Sequence, residues 1–104
     1  MEPNFNQIEE ICAGDISFRN RMIMILKKEF PVEYEELTLL IEKKKYSKSA
    51  ELVHKIKHKI ALLGMEKSYD VAVNFENELK NGKMTLYSEF LLILDKIDQF
   101  LKNT

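Results

Sequence analysis

Only three glycines interrupt these 104 residues, at positions 14, 64 and 82. Each follows a run in which apolar residues recur every three to four positions, the period of a helix that buries one face. A chain with so few turn residues cannot reverse often enough to build a sheet of many short strands, whereas a glycine after each run suits left-handed helix caps. Leu, Ile, Glu and Lys dominate, and all favour helix over strand or suit a helical core. The expected fold is therefore all-α.

Read in order, Asn4 caps a short first helix through Ala13, with Phe5, Ile8 and Cys12 on one side and Gly14 ending it. Asp15 or Ser17 opens a long second helix. Its apolar residues are Phe18, Met22, Ile25 or Leu26, Phe30, Leu37, Leu40 and Ile41. Pro31 lies in the middle of that run, and its missing N–H predicts a kink or break. The periodicity resumes beyond it, which favours one kinked helix over two. Lys43–Ser47 reads as a polar turn. A third helix covers Ser47–Gly64, a fourth Met65–Asn81 with Ala72, Phe75 and Leu79 inward, and a fifth Thr85–Lys102. That last helix turns Leu86, Phe90, Ile93 or Leu94, Ile97 and Leu101 inward. Connections this short predict an up-and-down antiparallel four-helix bundle with a short extra N-terminal helix, one domain over residues 1–104.

The third helix carries the unusual chemistry. In SKSAELVHKIKHKIALLG, residues Leu52, Val53, Ile56, Ile60 and Leu63 gather on one arc, and His54 falls almost opposite. Ala50, Lys57, His58 and Ala61 are its expected neighbours on the outer face. A histidine placed there is held where another protein can reach it. The formal net charge of −1 also hides an asymmetry: Lys43–Lys59 holds seven lysines against one glutamate, +6, so the rest sums to −7. Such a band suits an anionic partner.

Other chemistries fit less well. A single cysteine, Cys12, excludes an internal disulfide and suits a core position in a reducing compartment. No apolar run reaches the ~18 residues of a membrane span. The start, MEPNFNQIEE, lacks the basic-then-apolar order of a secretory leader, so a cytoplasmic location is expected. There is no glycine-rich phosphate loop, no nucleophile elbow and no CxxC. His54-x3-His58 has metal-ligand spacing, but Lys55 and Lys57 between them oppose a dication, and no metal or other cofactor is expected. Nucleic acid is disfavoured by the overall acidity and by the lack of arginines and interleaved aromatics on this helix. Membrane binding is disfavoured because the bundle needs its apolar face. What remains is nucleophilic chemistry at His54, whose neutral ring can attack phosphorus and carry the group as a phosphoramidate. Lys57 would keep the ring neutral and donate to phosphoryl oxygens.

The segment HKIKHKIALLG resembles the signature of histidine-containing phosphotransfer (HPt) domains, with lysine at +3 and glycine at +10 from the histidine. His54, Lys57 and Gly64 match it. Gly14-Asp15 with Phe18, then Phe30, then Phe75-Glu76 resemble further family positions along nearly the whole chain. One departure is His58, where the family carries glycine at +4. The resemblance implies a phosphorelay role: His54 accepts a phosphoryl group from a receiver-domain aspartyl phosphate and passes it to a response regulator. It implies a free-standing monomer without nucleotide site or cofactor of its own, the magnesium belonging to the receiver. Ala50, Lys55, His58 and Ala61 would form the docking rim, and the lysine band would steer encounter with an acidic receiver. The alternative is a helical interaction module that binds a receiver or other signalling protein without chemistry at His54.

Overall fold

The computed structural model describes residues 2–104. Five helices account for most of them: α1 Asn6–Cys12, α2 Ile16–Glu42, α3 Tyr46–Leu62, α4 Glu66–Lys80 and α5 Tyr87–Lys102. No strand occurs among the described residues. At 1.5 Å per residue the 27-residue α2 is about 40 Å long, which matches the 43 Å long axis of the molecule. It is the spine against which α1, α3 and α5 pack, while α4 packs on α3 and α5.

The three glycines all adopt left-handed backbone, as their positions suggested. Gly64 needs it most. Its φ is +72°, and a Cβ there would come within 2.8 Å of the Asn4 side chain. Asn4 is not the cap of α1, as the sequence suggested. The helix begins at Asn6, and the Asn4 Oδ1 accepts from the Asn6 N–H at 2.9 Å. Its backbone N–H donates to the Leu63 carbonyl at 2.9 Å, tying the start of the chain to the α3–α4 turn. Asp15 does cap α2, accepting from the Phe18 N–H at 3.0 Å. At the start of α5 the cap comes from elsewhere: Glu78, on α4, accepts from the Leu86 N–H at 2.9 Å and from the Thr85 hydroxyl. That side-chain cap moves the helix start from the expected Thr85 to Tyr87.

The core holds the expected apolar faces. Phe30, Phe75 and Phe90 are fully buried with Ile8, Leu37, Val53, Ile56, Ile60 and Ile97. Phe75 stacks on Tyr87 and tilts against Phe90 at centroid distances of 5.8 and 5.1 Å. Of the expected alternatives, Leu26 is buried and Ile25 exposed, while Ile93 and Leu94 are both buried. Phe18, expected among the apolar residues of the core face, is exposed, because at about 100° per residue it falls in line with the exposed Ile25 and off the buried stripe of Ile23, Leu26 and Phe30. Pro31 does not break α2. It lies on the exposed side, and the helix continues through it. Polar ties join the helices at their edges. Lys59 on α3 pairs with Glu29 and Glu33 on α2, and the Tyr34 hydroxyl on α2 donates to Asp95 on α5. Burial and the neighbouring Asp95 raise the Tyr34 hydroxyl above its ordinary pKa. No helix among the described residues is long and apolar enough to cross a membrane.

Candidate functional site

The α3 stripe of Leu52, Val53, Ile56 and Ile60 faces the core, which turns His54 toward the groove between α3 and α4. Its side chain is 52% exposed. From the opposing helix comes Glu76, whose side chain is only 9% exposed. The α4 residues Ala72, Phe75, Glu76 and Leu79 follow the i, i+3, i+4, i+7 pattern of a buried face, so Glu76 is a carboxylate standing where an apolar residue would be usual.

Three partners accompany that burial. Lys57 Nζ lies 3.0 Å from Glu76 Oε1, Lys80 Nζ 3.3 Å from Oε2, and His54 Nδ1 3.2 Å from Oε2. Burial would raise the Glu76 carboxyl. The hydrogen bonds from Lys57 and Lys80, the Lys57 charge and the His54 bond outweigh it and hold the carboxyl below its ordinary range. Glu76 is therefore a carboxylate near neutral pH and can only accept hydrogen bonds. The proton in its contact with His54 belongs to Nδ1, which leaves the lone pair of the neutral ring on Nε2.

That nitrogen has a neighbour. His58, one turn on, crosses His54 edge to face with centroids 4.8 Å apart, and the two Nε2 atoms are 3.3 Å apart. With the lone pair on His54, His58 Nε2–H is the donor. The site is thus a chain: Lys57 and Lys80 hold Glu76, Glu76 orients His54, and His58 faces the open Nε2 of that ring.

The sequence-based candidates divide accordingly. His54 and His58 stand together at the surface as expected. Lys57 does not share the open outer face. Its side chain is 12% exposed, it turns to Glu76, and its ammonium lies 5.9 Å from the Tyr69 ring centroid. The longer lysine side chain folds toward the buried carboxylate, where its charge is matched. Ala50 is buried, a correction to its expected place on the outer face, because α3 and α4 approach closely there. It still lines, with His54, Lys55, Glu76 and Lys80, the floor and walls of a shallow hollow beside the imidazole. Lys55 and Ala61 are exposed as expected, Ala61 bordering a second hollow with His58 and Tyr69. The lysine band is less free than its sequence suggested, since Lys57 and Lys59 are both committed to glutamates.

Glu76 and Lys80 were missed as site residues. The available signal was the charged residue filling the i+4 position of the α4 apolar stripe; Lys80 then follows at i+4 on the same side.

No protein-family model matches this chain, and neither a curated protein nor a solved structure does.

Proposed function

We propose that this chain is a histidine phosphotransfer protein of a multistep phosphorelay, built on an antiparallel four-helix bundle of α2–α5 with α1 appended. The bundle reading is supported by the closed ring of helix contacts, α2 with α3, α3 with α4, α4 with α5 and α5 with α2. It is further supported by opposed running order: Lys59, thirteen residues beyond the start of α3, pairs with Glu29, thirteen residues before the end of α2, and on the α5 side Tyr34 bonds Asp95 while Lys27, earlier in α2, reaches the Thr104 carbonyl, later in the chain.

One observation carries the functional reading: a surface imidazole whose Nδ1–H is held by a buried, charge-clamped carboxylate, leaving Nε2 nucleophilic. In uptake, the Nε2 lone pair attacks the phosphorus of a receiver aspartyl phosphate. The N–P bond forms as the P–O bond to the aspartyl oxygen breaks, and the aspartate leaves as a carboxylate. The ring gains positive character as Nε2 becomes substituted, and Glu76 at Nδ1 stabilises that charge where it develops. Passage to a response regulator is the reverse, with a second aspartate attacking phosphorus and His54 leaving neutral. Lys57 acts one step removed from the role expected of it. It keeps Glu76 ionised and in place, while Lys80 and Lys55, which border the hollow beside the imidazole together with Glu51, supply exposed positive charge near the ring. Receivers as partners, with their own magnesium ion, follow from this reading.

The test is incubation with a phosphorylated receiver followed by assay for acid-labile phosphate on the chain. Wild type should take up the group and His54→Gln should not, with stability changed by no more than about 0.5 kcal/mol for a substitution at this exposed position. Uptake by His54→Gln, with loss in His58→Gln, would transfer the role to His58. No uptake by wild type from any receiver tried would leave the interaction module as the better reading.

A further inference from the structure

The long α2 helix buries one face and leaves the other unpartnered. On the open face stand Phe18, Ile25, Val32 and Leu39, spaced by seven residues and each between 43% and 64% exposed. Residues seven apart on an α-helix drift only about 20° per step, so these four form one apolar line about 32 Å long. Isolated exposed apolar residues are ordinary, but an aligned row along the longest helix marks a helix-packing surface.

Charge on the same helix indicates what packs there. Residues 16–28 of α2 carry four cations and no carboxylate, and residues 29–42 carry five glutamates and no cation. The helix is therefore split into a basic half and an acidic half, with the division at the midpoint of the apolar line. Several of these charges are used internally: Arg19 pairs with Glu9, and Glu29 and Glu33 with Lys59. Beside the line, Arg21, Lys28, Glu35 and Glu36 have no ion-pair partner among the described residues.

A surface that is apolar along its centre, basic at one end and acidic at the other is complementary to itself turned through 180°. We propose that a second copy of this chain docks on α2, forming an isologous dimer in which the two α2 helices run antiparallel. A two-fold axis near residue 28 sets Ile25 against Val32 of the other copy and Phe18 against Leu39. It brings Arg21 opposite Glu35 of the other copy, twice by symmetry. A parallel pairing would instead oppose like charges along the whole length. With a single apolar row and exposed charge pairs, the dimer is weak and concentration-dependent, in place of the monomer expected from the sequence. None of Phe18, Ile25, Val32 and Leu39 lines the hollow beside His54, which is built by α3 and α4. The inference stands apart from the phosphotransfer reading.

Sedimentation equilibrium of the full chain over roughly 10 µM to 1 mM tests it. The wild type should move from monomer toward dimer across that range. Val32→Asp should raise the dissociation constant at least about tenfold by placing charge at the centre of the contact, with helicity and thermal unfolding as controls on folding. Arg21→Glu and Glu35→Arg should each weaken self-association, because each sets like charges across the axis. Their mixture should associate more strongly than either alone, since every cross-pair is then opposite in sign. A wild type that stays monomeric throughout, or a Val32→Asp chain that dimerises as the wild type does, would overturn the dimer. A mixture no heavier than its components would overturn the antiparallel pairing. Phosphate uptake should be unchanged in Val32→Asp, which keeps the outcome separable from any failure of the His54 chemistry.

Discussion

Replacing Glu76 probes the fold and the proposed chemistry at once, because the same carboxylate pairs with Lys57 and Lys80 and faces His54 Nδ1. Glu76→Gln keeps the shape and leaves an amide oxygen that can still accept from His54 Nδ1–H, but it removes the charge. Lys57, 12% exposed and 3.0 Å from the carboxylate, then keeps an ammonium in a confined place without its counter-charge. Stranding one member of a buried pair costs about 3–5 kcal/mol. The effect here should be smaller, because Lys80 is largely exposed and rehydrates freely, and Lys57 retains the Tyr69 ring. A loss of about 2–3 kcal/mol in urea unfolding is expected, close to the lower end of that range.

The chemical effect has a separate source. On the phosphotransfer proposal, the ring acquires positive charge as Nε2 bonds to phosphorus, and Glu76 would face that charge through Nδ1. Losing one such preorganised interaction typically costs about 2.7–4 kcal/mol of transition-state stabilisation, or 100- to 1000-fold in rate. Glu76→Gln keeps the hydrogen bond and should slow uptake from a phosphorylated receiver by about 10- to 100-fold; Glu76→Ala also releases the ring and should be slower still. Stopped-flow transfer, run beside urea unfolding of each variant at a temperature where all are folded, measures both effects. If Glu76→Gln transfers at the wild-type rate while losing stability, the carboxylate is a structural clamp and not a partner in the chemistry. If it changes neither, the account of the site is wrong.

Acid should act on the same group. A carboxyl depressed in the folded state stabilises the fold above its ordinary value of 4.5, and that contribution is lost as pH falls through the folded-state value. Urea titrations below pH 4.5 should therefore show a steeper loss in wild type than in Glu76→Gln. At the α3–α4 turn, Gly64→Ala imposes a left-handed φ on alanine and drives its Cβ against Asn4, so it should cost about 1–2 kcal/mol, read as a lower urea midpoint. An unchanged midpoint would mean that the N-terminal segment shifts freely. His58→Gly removes the donor facing His54 Nε2 and should speed uptake several-fold, while costing about 1 kcal/mol of helix stability. Slower uptake would show that His58 assists the transfer.

Helix number and most of the core were legible because they depend on local periodicity, which a single chain displays directly. The three left-handed glycines and the Asp15 cap are local for the same reason. What misled was pairing between helices. A helical wheel sets Lys57 beside His54 on the outer face, yet cannot show that α4 brings a carboxylate within 3.0 Å of the lysine. It sets Ala50 outward, yet cannot show how closely α4 covers that side. The α5 start shifted for a like reason, since its cap is a glutamate eight residues back on another helix. The partial exception is Glu76, a charge in an otherwise apolar stripe. Such a residue is stable only if another element supplies its partners, so its position alone signals a buried polar contact. The neighbouring helix then has few candidates, and the cationic or polar side chains of α3 that can reach it are those beside the surface histidine. From the sequence, the exposed imidazole in α3 stands out, while Glu76 figures only in the Phe75-Glu76 resemblance, with nothing linking the two. Contact between the helices makes them one site, in which the charge that would otherwise destabilise α4 holds the His54 ring in position.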